Sequence, residues 1–393
     1  MSDHRFVMSL LEIPWLEELV ALRRDLHAHP ETAFRETRTS EIIARELERY
    51  GLETHRGIGK TGVVGVLKSG SSSRMIGLRA DIDALPLAEL NDFDHRSGQP
   101  DAMHACGHDG HIAMLLGAAR HLAEHSGFDG TIAFIFQPAE EAEGGALGMI
   151  ADGLFRKFPV DSVYGLHNWP GIPVGEMAIH RGPAMAGVNR FEITLRGRGG
   201  HAAMPHLAND VIVAVSQLAL SLQTVTSRTL HPLEPAVVSV TRLLAGSAWN
   251  VLPEEATLRG TIRILEAGTQ KKIEAAIMRL ADGAAAAYGA VAETKFMYID
   301  PPTVNTEAEA ARCIEIACSI LGEGKVTDKA LPSMAAEDFS YMLEQHPGCY
   351  AWLGNGPDDN GHALHSPCYD FNDAIIPVGI TYWVRLAETL LQR

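Results

Sequence analysis

The segment HACGHDGH, residues 104–111, places one cysteine, three histidines and one aspartate in eight positions, with two glycines between them. A packed core has no use for that mixture, whereas thiolate and imidazole are good ligands for zinc and neighbouring transition metals. Cys106 and His108, spaced i, i+2, share one side of an extended segment. On this stretch alone two readings stay open: a metal site, or a polar loop with Asp109 as the N-cap of the following helix. In QPAEE, Glu140 and Glu141 adjoin at the end of an apolar run. Neighbours in an extended chain diverge, so one carboxylate can bind metal while the other faces the bound water and takes its proton, a division suited to hydrolysis. Such a pair is also the ordinary solvated start of a helix. His167 in GLHNWP and His365 in HALHSP are further donors, though each alone also fits a surface loop. Asp81 and Asp83 in RADIDALP end another apolar run, and Asp83 could orient a ligand or the water from behind. Cys106, His108, Glu141, His167 and His365 together exceed the four donors of a tetrahedral site, which suggests two metals with a bridging ligand and a bridging water.

These side chains need elements to carry them. Residues 15–50 read as two helices interrupted at His29-Pro30. TGVVGVLKSG (61–70) and RMIGLRADIDALP (74–86) read as strands, joined through SGSSS by a hairpin turn or short loop. Residues 111–125 carry apolar side chains at helical spacing, GTIAFIFQ (130–137) is a buried strand stopped by Pro138, and SVYGLH (162–167) is a strand ended by the turn-rich NWPGIP. Metal-type side chains therefore follow several strands. In an open α/β sheet the ligand crevice lies beyond the carboxyl ends of the strands.

From about residue 182 the texture changes to β-α-β-β-α-β: strand 188–196, helix 209–228, strands 236–244 and 255–265, helix 269–288 and strand 290–299. That is the ferredoxin-like order. The expected organisation is a catalytic domain (1–181 and 302–393) interrupted by an inserted domain (182–301). Inside the insert, RGRGGHAAMPH sets His201 on a glycine-rich turn, where the histidine could equally be incidental. Asn250 and Arg263 could grip an amide and a carboxylate, although Arg263 also fits a solvent-facing strand position.

With 33 basic and 49 acidic residues the formal charge is −16, which argues against nucleic acid or anionic membrane as a main partner. A carboxylate-bearing substrate would then need a local cation. No apolar run is long enough for a membrane span, the first residues lack the pattern of a secretory signal, and five scattered cysteines without a CxxC pair read as a reducing compartment. The expected location is the cytoplasm.

Taken in order, RADIDALP, HACGHDGH, QPAEE, GLHNWPGIPVG, GRGGHAAMPH, WNVLP, AAEDF and LHSPCYDFND resemble the dinuclear metallo-amidohydrolases of the hippurate hydrolase, aminoacylase and auxin-conjugate hydrolase type. These are relatives of metallo-carboxypeptidases and dipeptidases. The likeness runs from about residue 15 to 390. It implies an α/β fold with an open mixed-sheet, metallopeptidase-like catalytic domain and an inserted ferredoxin-like lid that also serves dimerisation, giving a homodimer or homotetramer. It further implies two divalent ions (zinc, manganese, cobalt or nickel) held by Cys106, His108, Glu141, His167 and His365, with Glu140 as general base and Asp83 assisting. By the same resemblance His201 stabilises the oxyanion, often in the partner subunit's site, and Asn250 and Arg263 touch substrate. Ala335, in SMAAEDF, stands where the family usually has glycine.

The implied activity is hydrolysis of N-acyl amino acids by a metal-activated water, with a dipeptidase or carboxypeptidase as the alternative. Two other classes compete: a cysteine hydrolase using Cys106 with His108 or His111, and a binding protein without catalysis. A thiolate nucleophile wants a positively biased setting, and the neighbours here are acidic.

Overall fold

The computed structural model describes residues 9–141, 144–357 and 363–393. The chain forms two compact units, one of residues 1–184, 304–331 and 338–393, the other of residues 185–303 and 332–337. The smaller unit thus takes in a short late segment that sequence texture left with the larger one.

In the larger unit, α1 (Leu16–Ala28) and α2 (Thr37–Arg49) lead into β1 (Glu53–Ile58), β2 (Gly62–Ser69) and β3 (Met75–Asp81). After a long loop come α3 (His108–His125), β4 (Gly130–Gln137), β5 (Ser162–Pro170) and β6 (Met177–Ile179). An eight-stranded sheet runs β1-β2-β4-β3-β5, then the strand Gly348–Gly356, β6 and the strand Val326–Thr327. β3 is parallel to β4 and β5, and β5 is parallel to Gly348–Gly356, so the carboxyl ends of β3, β4 and β5 face the same way. β2 pairs antiparallel with β1 and β4. SGSSS is therefore a short crossover loop, because β4 lies between β2 and β3. β5 runs on through Asn168, Trp169 and Pro170, three residues beyond the expected stop, because Gly348–Gly356 continues to pair with it.

α3 is buried along its whole first part, His108 to Ala119, and packs against α1, β3 and the closing helix Ile376–Leu390. Its apolar side chains Ile112, Met114, Leu115 and Leu116 join Leu19, Leu78, Phe134, Tyr382 and Trp383 in the core. A helix held this way gives its first turn a fixed position, and that turn carries His108 and His111.

In the smaller unit the strands Gly187–Arg196, Ala236–Ala245, Glu255–Ile264 and Val291–Asp300 form an antiparallel sheet. By rank in this unit the spatial order is second, third, first, fourth, and the helices Val211–Leu222 and Ala267–Ala287 pack on the sheet. This is the ferredoxin-like arrangement that the element order predicts. Alternation explains it: Phe191, Ile193 and Leu195 turn inward onto Leu218, Ile273 and Ile277, while Arg190 and Arg196 face out. Asp210 caps the first of these helices by accepting from the Ile212 and Val213 amides at 3.0 and 3.1 Å. Among the described residues no helix is long and apolar enough to cross a membrane.

Candidate metal centre

The carboxyl ends of three parallel strands deliver the polar groups. Asp81 ends β3, Glu140 and Glu141 follow β4 through Pro138 and Ala139, and His167 lies in β5. Ala139 sits at φ +52°, a left-handed turn that breaks the chain out of the strand just before the two glutamates. His365 adopts φ +65° in the loop after Gly348–Gly356, and its amide donates to the Ala105 carbonyl at 2.8 Å.

Five expected donors come together. The Sγ of Cys106 lies 3.5 Å from His167 Nε2, His108 Nε2 lies 3.9 Å from Glu141 Oε1, and His365 Nε2 lies 3.3 Å from the same oxygen. Donor atoms of Cys106, His108 and Glu141 all fall within 4.8 Å of one another. The residues fit cations by their unmet bonding as well as by distance. Among the described residues, His108 Nε2 and Glu141 Oε1 are buried without a hydrogen-bond partner. Their remaining ring protons are parked elsewhere: His108 Nδ1 donates to the Asp83 carbonyl at 2.8 Å and His167 Nδ1 to the Asn168 carbonyl at 2.6 Å, leaving each Nε2 lone pair for the centre.

The electrostatics agree. Burial alone would lower His108, but Asp81, Asp83 and Glu141 more than offset it and hold the imidazole at about 10, so this pocket of the protein favours a positive charge. His167 is pushed down by burial and by the neighbouring His111 and His108, which keeps its ring available as a ligand. Burial, reinforced by Glu141, Glu140 and Asp81, raises the Cys106 thiol well above its usual range. A thiol so disfavoured as a lone anion is a poor unassisted nucleophile, which speaks against the cysteine-hydrolase reading.

Several residues around this core were only partly legible. Cys106 and His108 do not share an extended segment. Gly107, at φ +84°, turns the chain between them and His108 opens α3. Asp109 is no N-cap; it points back to α1, where it pairs with Arg23 at 3.3 Å and His27 at 2.9 Å, all three fully buried. Both Asp83 oxygens accept backbone amides, from Glu140 at 3.0 Å and Glu141 at 3.1 Å, so this carboxylate holds the glutamate turn. His111 lies within the cluster of Asp81, His108 and His167, yet both its nitrogens are engaged, Nδ1 with Asp81 at 2.5 Å and Nε2 accepting from the Asn168 amide at 3.0 Å. It supports the donors. Its place three residues after His108, on the same helix face, was the signal for it. Arg79 lies 2.8 Å from Asp81 and offsets that buried charge, and burial notwithstanding, His108, Arg79 and His111 keep Asp81 well below the usual carboxylate range.

Glu141 also lines a cavity of about 670 Å³ walled by Pro30, Ala33, Ala84, Leu85 and Pro86, with Arg35 among its polar lining. The volume is within the usual range for small-molecule sites. On the smaller unit, His201 lies exposed in the two-residue strand Gly200–His201, paired in register with Val251, and its Nδ1 accepts from the Ala203 amide at 3.1 Å. The Asn250 carbonyl accepts from the Ala202 amide at 3.0 Å, so this ribbon brings His201 and Asn250 to one place. Arg263, in the strand Glu255–Ile264, is half-buried rather than solvent-facing, and its Nη1 has no hydrogen-bond partner among the described residues. Burial and the neighbouring Arg190 lower it against the pull of Asp300.

The model of the Peptidase family M20/M25/M40 matches residues 77–389. The chain belongs to that family. Among M20 relatives, the hippurate hydrolase of Campylobacter jejuni is 40% identical over 375 residues, covering 95% of this chain and 97% of the relative. The N-acetylcysteine deacetylase of Bacillus subtilis is 38% identical over 378 residues, covering 95% and 97%. A crystal structure from Bacillus subtilis, described as a dinuclear metal binding peptidase of the M20 family, superposes with a TM-score of 0.85 at 35% identity, covering 96% of this chain and 99% of that one. The M20 family thus accounts for the fold class.

Proposed function

We propose that this protein is a metal-dependent amidohydrolase that splits N-acyl amino acids into a carboxylic acid and an amino acid. The observation that carries the reading is the clustering of Cys106, His108, Glu141, His167 and His365, with neighbouring donor atoms 3.3 to 3.9 Å apart. These five would hold two divalent ions, zinc, manganese, cobalt or nickel, as the dinuclear relative supports. Such ions, when bound, supply Lewis acidity toward the amide carbonyl and ease deprotonation of water.

The protein's own residues supply the proton traffic and the grip. Glu140, fixed beside Glu141 by the Asp83 carboxylate, accepts the proton of the attacking water and returns it to the leaving amine. His201 is assigned to the oxyanion and Asn250 and Arg263 to the substrate's amide and carboxylate; the unpartnered Nη1 of Arg263 supports the last role. Relatives named for hippurate and N-acetylcysteine, both N-acyl amino acids, support the substrate class, and the cavity beside Glu141 offers room for a substituent.

The smaller unit is assigned the roles of lid and dimerisation surface. Its edge strand Ala236–Ala245 leaves Leu243 and Leu244 exposed, and Trp249 is wholly uncovered. A cytoplasmic location fits the scattered cysteines.

The decisive experiment strips the protein with chelator, restores zinc, manganese, cobalt or nickel in turn, and screens N-acetyl, N-benzoyl and indole-acyl amino acids beside dipeptides. Metal-dependent release of free amino acid from the acyl substrates, above the rate on dipeptides, is expected. Preference for dipeptides would replace this reading with the dipeptidase one, and full activity after demetallation would end both.

A further inference from the structure

The proposed donors come from four stretches far apart in the chain: 104–111, the turn after β4 that carries Glu141, β5 and the loop around His365. One side chain of β5 bonds to both the first and the last of these. Asn168, fully buried, donates from Nδ2 to the Cys106 carbonyl at 2.7 Å, and the same nitrogen lies 3.1 Å from His111 Nε2. Its Oδ1 accepts from the Tyr369 hydroxyl at 2.6 Å, four residues after His365. Its backbone amide donates to His111 Nε2 at 3.0 Å, and its carbonyl accepts from His167 Nδ1 at 2.6 Å. The fit is tight. A Cβ added at Gly107, between Cys106 and His108, would sit 2.4 Å from Asn168 Nδ2 and 2.5 Å from the Tyr369 hydroxyl oxygen.

We infer that Asn168, oriented by Tyr369, is the positioning residue that locks the Cys106, His167 and His365 segments into one metal-binding geometry. This rests on the functional reading above. Only a carboxamide offers what the place demands, because one end must donate to a buried carbonyl and the other must accept from a buried hydroxyl. Ionised aspartate has nearly the same shape but cannot donate, so it would set an oxygen against the Cys106 carbonyl. Tyr369→Phe removes only the hydroxyl that fixes the amide's orientation. Residues behind metal ligands typically alter affinity by ~10- to 100-fold when changed.

The test measures zinc and manganese affinity of the full-length chain by competition with a chromophoric chelator, without substrate, beside circular dichroism and thermal unfolding of the metal-free form. Asn168→Asp should bind metal ~10- to 100-fold more weakly than wild type while keeping its fold, and Tyr369→Phe should shift affinity the same way by a smaller factor. Catalytic rate should recover toward wild type at saturating metal, since both side chains are fully buried. Wild-type affinity in Asn168→Asp overturns the inference. Should Asn168→Asp fail to fold, Tyr369→Phe decides, and unchanged affinity there overturns it equally. A wild-type chain that binds no divalent ion would instead sink the functional reading.

Discussion

His27 offers a pH-dependent test of how α1 is tied to the first turn of α3. Its ring is fully buried, with Nδ1 2.9 Å from Asp109 and Nε2 3.3 Å from Glu89, while Arg23 lies 3.3 Å from the same Asp109 oxygen. Burial lowers the imidazole's pKa, but the charge and hydrogen bond of Asp109 and the bond to Glu89 outweigh it and lift it from 6.5 to about 9. A group whose pKa is raised by folding stabilises the native state in its protonated form. That contribution is complete below pH 6.5, declines as pH rises, and is gone above about 9. At about 1.4 kcal/mol per pH unit, the gap amounts to roughly 3 kcal/mol. The perturbation is His27→Gln, which keeps one donor and loses the charge. Urea unfolding of both proteins at pH 6, 7.5 and 9.5 isolates the effect, because other titrations cancel in the difference. Wild type should lead by roughly 3 kcal/mol more at the lowest pH than at the highest. A stability gap that stays constant across these pH values would refute the argument, showing that His27 is a neutral packing residue.

Further expectations concern the proposed centre and its supports. Glu140→Gln should bind metal as wild type does yet turn over ~100-fold or more slowly, checked by metal analysis beside steady-state kinetics on an N-acyl amino acid. His201→Ala should lower kcat by a similar ~100-fold with little change in metal content, as expected for loss of an oxyanion donor. At Gly110, in the first turn of α3, an added Cβ would meet the Phe371 ring at 2.2 Å, so Gly110→Ala should cost about 1–3 kcal/mol in denaturant unfolding. Phe371→Leu introduced beside it should recover part of that loss.

What the sequence by itself determined was the identity of the chemical groups and the elements carrying them. HACGHDGH and QPAEE supply metal-type and proton-accepting groups, and the strands and helices follow from apolar periodicity, a local property. The β-α-β-β-α-β order of the smaller unit was likewise legible, most clearly where Glu255–Ile264 alternates buried with more exposed residues. Tertiary structure alone decided which groups face the centre and which hold the others in place. Asp109 sits in the motif but turns to Arg23 and His27 on another helix, and Asn168, an unremarked residue in GLHNWP, bonds through its side chain to two separate segments. No local signal reveals such partners, because a buried polar group is satisfied by whichever residue the packing brings within about 3 Å, and that residue can lie hundreds of positions away.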